Sequence, residues 1–528
     1  MRRISTFVRA ARALLALALV PAATRAQDPF AAGQRWTHPA NAASPWLPSE
    51  VRFAAAGELV WATGQGVSPR AMALSTAPVL GTGTLAPTRA ASLPGSVGTI
   101  AVATARDERE LFTAAQYATY DASHRRTELA KYDAHDAATL VPRWTRNMGL
   151  VGNGVSKLAA SRDGAFVVAA THDAQFQVLA IEWIDGASGA LLASRAAYAG
   201  TLRQMAASAD ASLAAVLVGG ELRLYAPSAG LLFSETLASA SQALAITADG
   251  SFVAAASGSA VRCWRRTAGV WSFEREFHAG VGEIATRIAL SDDGEALAIG
   301  WWNPAATHSV RLAAWAVSAN ALRYERLLDA PASTLQNYVE SVCITRDGRR
   351  AAFGCWGTAD AAPEVVLVDV AGGAEVLSLD LPGSVRCLAL DESGTRVAVG
   401  AKSVHANLFG STGELRLYDT GERRAQLVEE PLAGGTLHVA ARESGASRIF
   451  FYVGTPLAAP RPFPGGGSWW IERSTAQRFT RTTDATGRAD LVLSLPASAA
   501  GADLAVQTVA RTPLGVRVGT NVILPVVF

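Results

Sequence analysis

One pattern limits what this chain can fold into: a short apolar run, an acidic-glycine turn, and a second apolar run, returning about every 40 to 55 residues. The clearest copy is RIALSDDGEALAIG, Arg287 to Gly300, in which Ile288 to Leu290 run in, Asp293-Gly294 turns, and Ala296 to Ile299 run out. Further copies stand at Lys157 to Ala170, Leu244 to Ala256, Val342 to Gly354 and Cys387 to Gly400. Looser ones occupy Val51 to Thr63, Thr99 to Ala115 and Gln204 to Val218, so the units number about eight, with seven as the alternative. Each continues into a third and a fourth strand, as in Ala260 to Arg265 followed by Trp271 to Phe277. In the last unit the same rule predicts Glu414 to Tyr418 and Ala425 to Val428. One such sheet cannot bury both of its faces, so the units must pack in a ring. The expected fold is all-β, a β-propeller of four-stranded blades over 50–430 followed by a small β-sandwich.

The order strand, Asp-Gly turn, strand, then a "VRCWR" or "LRLYD" strand resembles a WD-repeat propeller, as does Phe277-His278 where that family often carries Gly-His. The resemblance covers about residues 50 to 430, though most units lack the Trp-Asp pair that names the family. Beyond Leu432 the blade spacing ends. The residues DATGRADLVLSLP (Asp484 to Pro496), LAVQTV (Leu504 to Val509) and Asn521, after the Pro-Gly loop Pro456 to Gly467, are similar to a C-terminal module of secreted bacterial proteins. That likeness implies a β-sandwich over 431–528 with no chemistry of its own.

Residues 1–26 have the three parts of a secretory signal peptide: a basic start (Arg2, Arg3, Arg9, Arg12), the apolar run ALLALALV, and a small-residue site ending at Ala26. The run is too short to cross a bilayer, so the expectation is a secreted, periplasmic or cell-surface bacterial protein with no membrane span. Of 47 basic residues the signal holds five and none of the 45 acidic ones. The remainder carries 42 against 45, a net −3, which points away from nucleic acid. Residues 27–49 form a Pro-, Ala- and Asn-rich arm that can lay an extra strand on a blade and help close the ring. Four cysteines in a chain of this size are not a disulfide scaffold. Cys343 should face Ala352 rather than Cys355, while Cys343 and Cys387 are either buried thiols or, register permitting, a bridge between neighbouring blades.

No G-x-S-x-G, H-E-x-x-H or C-x-x-C motif is present. The Asp-Gly turns lack the alternating acidic ladder of a calcium cage and read as hairpin turns. Trp183 to Gly189 only partly matches the turn of quinone-dependent propeller dehydrogenases. No metal and no cofactor are therefore expected. The units differ instead in their loops: the first turn of each is short, whereas Gln116 to Arg126, Trp301 to Ser309, Asp329 to Glu340, Trp356 to Pro363 and Ala401 to Gly413 are long. In a propeller these fall on one face, bringing together Trp301, Trp302, Tyr338 and Trp356 with Asn303, His308, Asp360, His405 and Asn407. Two readings of that patch stand, a binding surface or a cover for blade edges. The inner strands read as mostly Ala, Val, Ile, Leu, Ser and Thr, which favours a monomeric, non-catalytic binding protein with a protein or glycan partner. The alternative is a propeller enzyme (hydrolase, lyase or quinone-type oxidoreductase) working in the central channel.

Overall fold

The structure, a computed structural model, describes residues 32–523 apart from 40–45, 55–58, 67–69, 76–88, 93–95, 106–109, 118–125, 134–139, 149–153, 173–176, 197–199, 239–242, 331–332, 359–361, 407, 409–411, 424, 429–432, 444–445, 463–467, 500–501, 503 and 512–516. The signal peptide expected at 1–26 lies outside the described residues. Eight antiparallel blades follow one another, and their inner strands are Trp46–Ala54, Ser96–Ala105, Gly154–Ala160, Leu202–Ala207, Leu244–Ile246, Ile284–Leu290, Val339–Ile344 and Val385–Leu390. Each inner strand touches the next, and the eighth touches the first, so the ring is closed. The first two blades also share one backbone pairing, Gln65 with Gly98. The protein is thus a β-propeller with eight blades, as the repeat predicts.

Local chemistry explains why each unit makes a hairpin. In five of them a Ser or Thr two residues before an Asp accepts the amide five residues ahead and donates to the Asp carboxylate. Thr247 Oγ1 donates to Asp249 at 2.7 Å and accepts from Phe252 N at 3.0 Å; Ser291 with Asp293 and Thr345 with Asp347 repeat this. The Asp then accepts the amide two residues on, as Asp249 does from Ser251 at 2.9 Å. Burial pushes the Asp249 carboxyl up, but these donors more than offset it and hold it below the ordinary range. The following residue needs positive φ: it is Gly250 (67°) and Gly294 (74°), and in the fourth blade Ala211 adopts 55° instead. The turns also join one another. Arg162 N donates to Ala209 O, Ala209 N to Ala248 O, Ala248 N to Asp292 O and Asp292 N to Arg346 O, a belt of backbone bonds at 2.6–3.0 Å running through blades three to seven. On the other edge, a Cβ at Gly354 would come within 2.5 Å of Val385 and one at Gly400 within 2.6 Å of Pro48, so glycine lets neighbouring blades close up.

The last blade differs from the expectation. Its outer strand is Gly33–Pro39, paired antiparallel with Gly413–Asp419, so the N-terminal arm supplies the strand that closes the ring. Ala425–Leu427, expected in that place, pairs with Thr436–Arg442 instead. The sequence between Asp419 and Ala425 (TGERR) has the look of a blade turn, but an N-terminal strand already occupies the edge. The junction is buried and charged. Arg35 and Arg396 both reach Asp419 (3.2 and 3.3 Å) and both donate to Gln426 Oε1 (2.9 and 3.2 Å), while Arg423 meets Asp391 at 3.1 Å. Burial lowers the Arg35 pKa, Asp419 opposes this and Arg396 adds to it. Arm, last blade and tail therefore meet at one polar core.

The tail forms two main sheets, Ala425–Leu427 with Thr436–Arg442 and Arg488–Ser494, and Gln477–Thr482 with Arg448–Gly454, Ala505–Arg511 and Arg517–Ile523. They pack face to face over Leu437, Val439, Ile449, Phe451, Leu491 and Val506, a two-sheet sandwich. All four cysteines are free. Cys343 lies opposite Ala352, and burial pushes its thiol up to about 12, so it is inert at neutral pH.

Asp419→Ala should cost about 3–5 kcal/mol, because it strands two buried arginines. Chemical denaturation of this variant beside Asp249→Ala, which removes only an exposed turn acceptor, checks it: equal losses would mean that the junction does not hold the ring.

Candidate functional site

Trp302 ends the second strand of blade six, Tyr338 stands one residue before the inner strand of blade seven, and Trp356 one residue after that blade's second strand. All three are half-buried and meet on the long-loop face. The Trp302 and Tyr338 rings are 5.6 Å apart, edge to face at 65°, and Tyr338 and Trp356 are 5.2 Å apart at 45°. The row is fixed from behind. Trp356 N donates to Tyr338 O at 2.9 Å, Trp356 Nε1 to Glu340 at 3.1 Å, and Trp302 Nε1 to Thr307 O at 3.3 Å. Asn337 Oδ1 accepts the amides of Tyr338 and Gly357, both at 2.9 Å. Arg287 pairs with Glu340 at 3.0 Å and lies 6.0 Å from the Tyr338 ring centre. Burial raises the Tyr338 pKa, which keeps its hydroxyl protonated and able to donate.

The other candidates divide. Trp301 is only 1% exposed and packs with Phe277 and Ile299 between blades five and six; grouping it with Trp302 fails because adjacent strand residues point to opposite sides. Asn303 accepts the amides of Ala305 and Ala306 and shapes its loop. His308 meets Asp329 at 3.3 Å at the blade edge. His405 joins the patch from blade eight, with Nδ1 3.3 Å from Trp356 O and 3.7 Å from the buried Glu364 carboxylate. Asp360 and Asn407 lie outside the described residues. Asp185, in the turn likened to quinone enzymes, accepts Ser188 N and Oγ at 2.7 Å each and caps a hairpin.

The reading of the inner strands as apolar misses a feature of the channel. Blades one, three, four, six, seven and eight carry a bulge at one register of the inner strand, skipping Ser49, Ser156, Arg203, Thr286, Glu340 and Arg386. At that level a cavity of about 710 Å³ opens in the ring, and Glu50, Arg52, Lys157, Arg287, Glu340 and Arg386 line it. Arg52 pairs with Glu50 at 2.9 Å. Burial lowers the Lys157 pKa, Arg287 lowers it further, and Glu50 and Glu340 oppose them. The signal was legible: a charged residue stands six or seven places before the turn Asp or Ser at Lys157, Arg287, Glu340 and Arg386. Only the bulge, which lets two successive residues oppose one, turns that register toward the axis. Among the described residues no three His, Cys, Asp or Glu are grouped to hold a metal ion, and no helix is long and apolar enough to cross a membrane.

No protein-family model matches the chain. No curated protein matches it either. Among solved structures it is similar to the β-propeller domain of Cps50 (Swd1) from Myceliophteria thermophila, at 13% identity and a TM-score of 0.43, over 71% of this chain and 96% of that one.

The different settings of the three tryptophans predict different losses. Trp301→Ala should destabilise the ring by about 3–5 kcal/mol, as for a fully buried aromatic, and Trp302→Ala and Trp356→Ala by clearly less. Denaturant midpoints that rank Trp302→Ala lowest would make the row a structural cover.

Proposed function

We propose that this chain is an exported, non-catalytic binding protein that holds a protein or glycan partner on the long-loop face of its propeller. The observation that carries this reading is the row Trp302, Tyr338 and Trp356, half-buried, in ring contact, and pinned by Asn337 and Glu340 of blade seven and Arg287 of blade six. Aromatics held in fixed rotamers lose little entropy on binding and present wide apolar faces, which suits both sugar rings and peptide side chains. The Tyr338 hydroxyl beside them, kept protonated by burial, adds a directional donor. The basic start, apolar run and Ala26 site of residues 1–26 support export to the periplasm, the cell surface or the medium. Its charge after that segment, −3, gives it no attraction for nucleic acid. The sandwich at the end serves as a second, non-catalytic module.

A screen against a glycan array and a panel of surface proteins, run on wild type, Trp302→Ala and Trp356→Ala, tests the face. Each substitution is expected to weaken capture by about 1–3 kcal/mol. Unchanged capture with a lowered melting temperature would remove these residues from function. N-terminal sequencing of protein from its native host should begin at or near Gln27, and a chain still starting at Met1 would end the export reading.

A second reading, an enzyme acting in the channel, draws on Lys157, whose lowered pKa beside Glu50 and Glu340 is the kind of perturbation that catalytic sites use. Turnover lost in Lys157→Met but kept in Trp356→Ala would favour it over a binding protein.

A further inference from the structure

The channel lining holds four cations, Arg52, Lys157, Arg287 and Arg386, against two carboxylates, Glu50 and Glu340, an excess of two positive charges. Both carboxylates are already engaged. Glu50 is 2.9 Å from Arg52, and Glu340 is held by Arg287 at 3.0 Å and by Trp356 Nε1 at 3.1 Å. Arg287 is engaged in turn, with its Nε donating to Glu340 O at 2.9 Å. Lys157 and Arg386, from blades three and eight, are left: among the described residues neither makes a hydrogen bond or ion pair with the protein. Both are half-buried, and the carboxylates that act on Lys157 are shared with the arginines, so the channel carries positive charge that an anion would balance.

We propose that the central channel is a binding site for a small oxyanion, the carboxylate or phosphate group of a compact ligand, received by Lys157 and Arg386 with the Arg287 guanidinium beside them. The cavity, about 710 Å³, has the size of a small-molecule site. Its exposed lining is mostly polar, Gln204 and Ser341 standing beside the charged groups, while Leu244, Ile288 and Leu388 give apolar walls. The local excess of positive charge sits in a chain whose residues after 26 sum to −3, so the field is focused in the channel rather than spread over the surface. The site adjoins the aromatic face through Arg287 and Glu340, but Lys157 and Arg386, which carry it, take no part in that face.

The protonated lysine is the form that receives an anion, which sets a pH dependence. The charged groups that act on Lys157 are Arg287, Glu50 and Glu340. Of the inner strands flanking its own, Ser96–Ala105 carries no charged residue and Arg203 on the other is exposed. With the free-state pKa below the usual lysine value, affinity should fall as the pH rises through that lowered pKa, and binding should take up protons.

The test is calorimetry and thermal melting of the full chain with inorganic phosphate and with citrate, against sodium chloride at matched ionic strength. The variants are Lys157→Met and Arg386→Met, and each removes an uncompensated charge while keeping its apolar stem, so each should fold and melt at or above wild type without ligand. At least one of the two anions should raise the wild-type melting temperature and bind with a Kd below about 1 mM. Either substitution should weaken that binding about tenfold or more, and the wild-type heat should vary with the buffer's protonation enthalpy. Phosphate alone would assign a phosphate site, citrate alone a carboxylate site. No shift beyond chloride with either anion, or binding retained in both variants, would overturn the proposal. Should Lys157→Met fail to fold, Arg386→Gln reads the same loss. Trp302 and Trp356 take no part, so a failure here leaves the face reading untouched, and the reverse holds.

Discussion

The ring depends on one non-local contact: the strand Gly33–Pro39 completing a blade whose other three strands lie between Val385 and Asp419. Seven blades close within themselves by hairpins, which are local and cheap in chain entropy. The eighth closes only when the N-terminal arm meets the last blade. The charge arrangement at that point follows from the topology, because a strand edge buried under the tail must satisfy its polar groups there. Arg35 and Arg396 share Asp419 and Gln426, so one strand from the arm, two from the blade and one from the tail are tied together. A buried ion pair of this kind is worth little against an apolar substitute, but it is unforgiving of the wrong partner, which suits a contact that must select one edge out of eight.

Closure makes the two ends of the channel unlike. On one, the Ser/Thr-x-Asp turns are saturated by their own amides and hydroxyls and joined in a backbone belt, which leaves little for a ligand. On the other, glycines such as Gly354 and Gly400 bring neighbouring blades close enough for loops of blades six to eight to touch. There Tyr338 of blade seven reaches Trp302 of blade six, and His405 of blade eight reaches Trp356. Below them the bulged inner strands turn Lys157, Arg287, Glu340 and Arg386 to the axis. Arg287 and Glu340 belong to both regions, so the aromatic face and the charged channel are electrostatically connected.

Much of this was legible in the sequence, and the parts that were not share a cause. Hairpins, blade number and the sharing of one face by the long loops follow from period-two patterning and turn chemistry, which are local. The last outer strand is not legible, because Ala425 to Val428 suits a strand and only the competition with Gly33–Pro39 decides where it pairs. The sequence groups Trp301 with Trp302 because no turn residue separates them from the loop; the strand runs on through Trp302 and puts them on opposite sides. The channel charges were visible as letters, but their direction depends on a bulge that leaves no mark of its own in composition.

The most direct measurement of this account is amide hydrogen exchange across the closing strand. With closure as described, the amides of Trp36 to His38 that face Gly413–Asp419 exchange as slowly as those of the inner blades and open with them in one cooperative unit. Exchange there at the rate of an unstructured segment, while blades three to seven stay protected, would contradict closure by the arm and with it the fixed geometry on which the face and the channel rest.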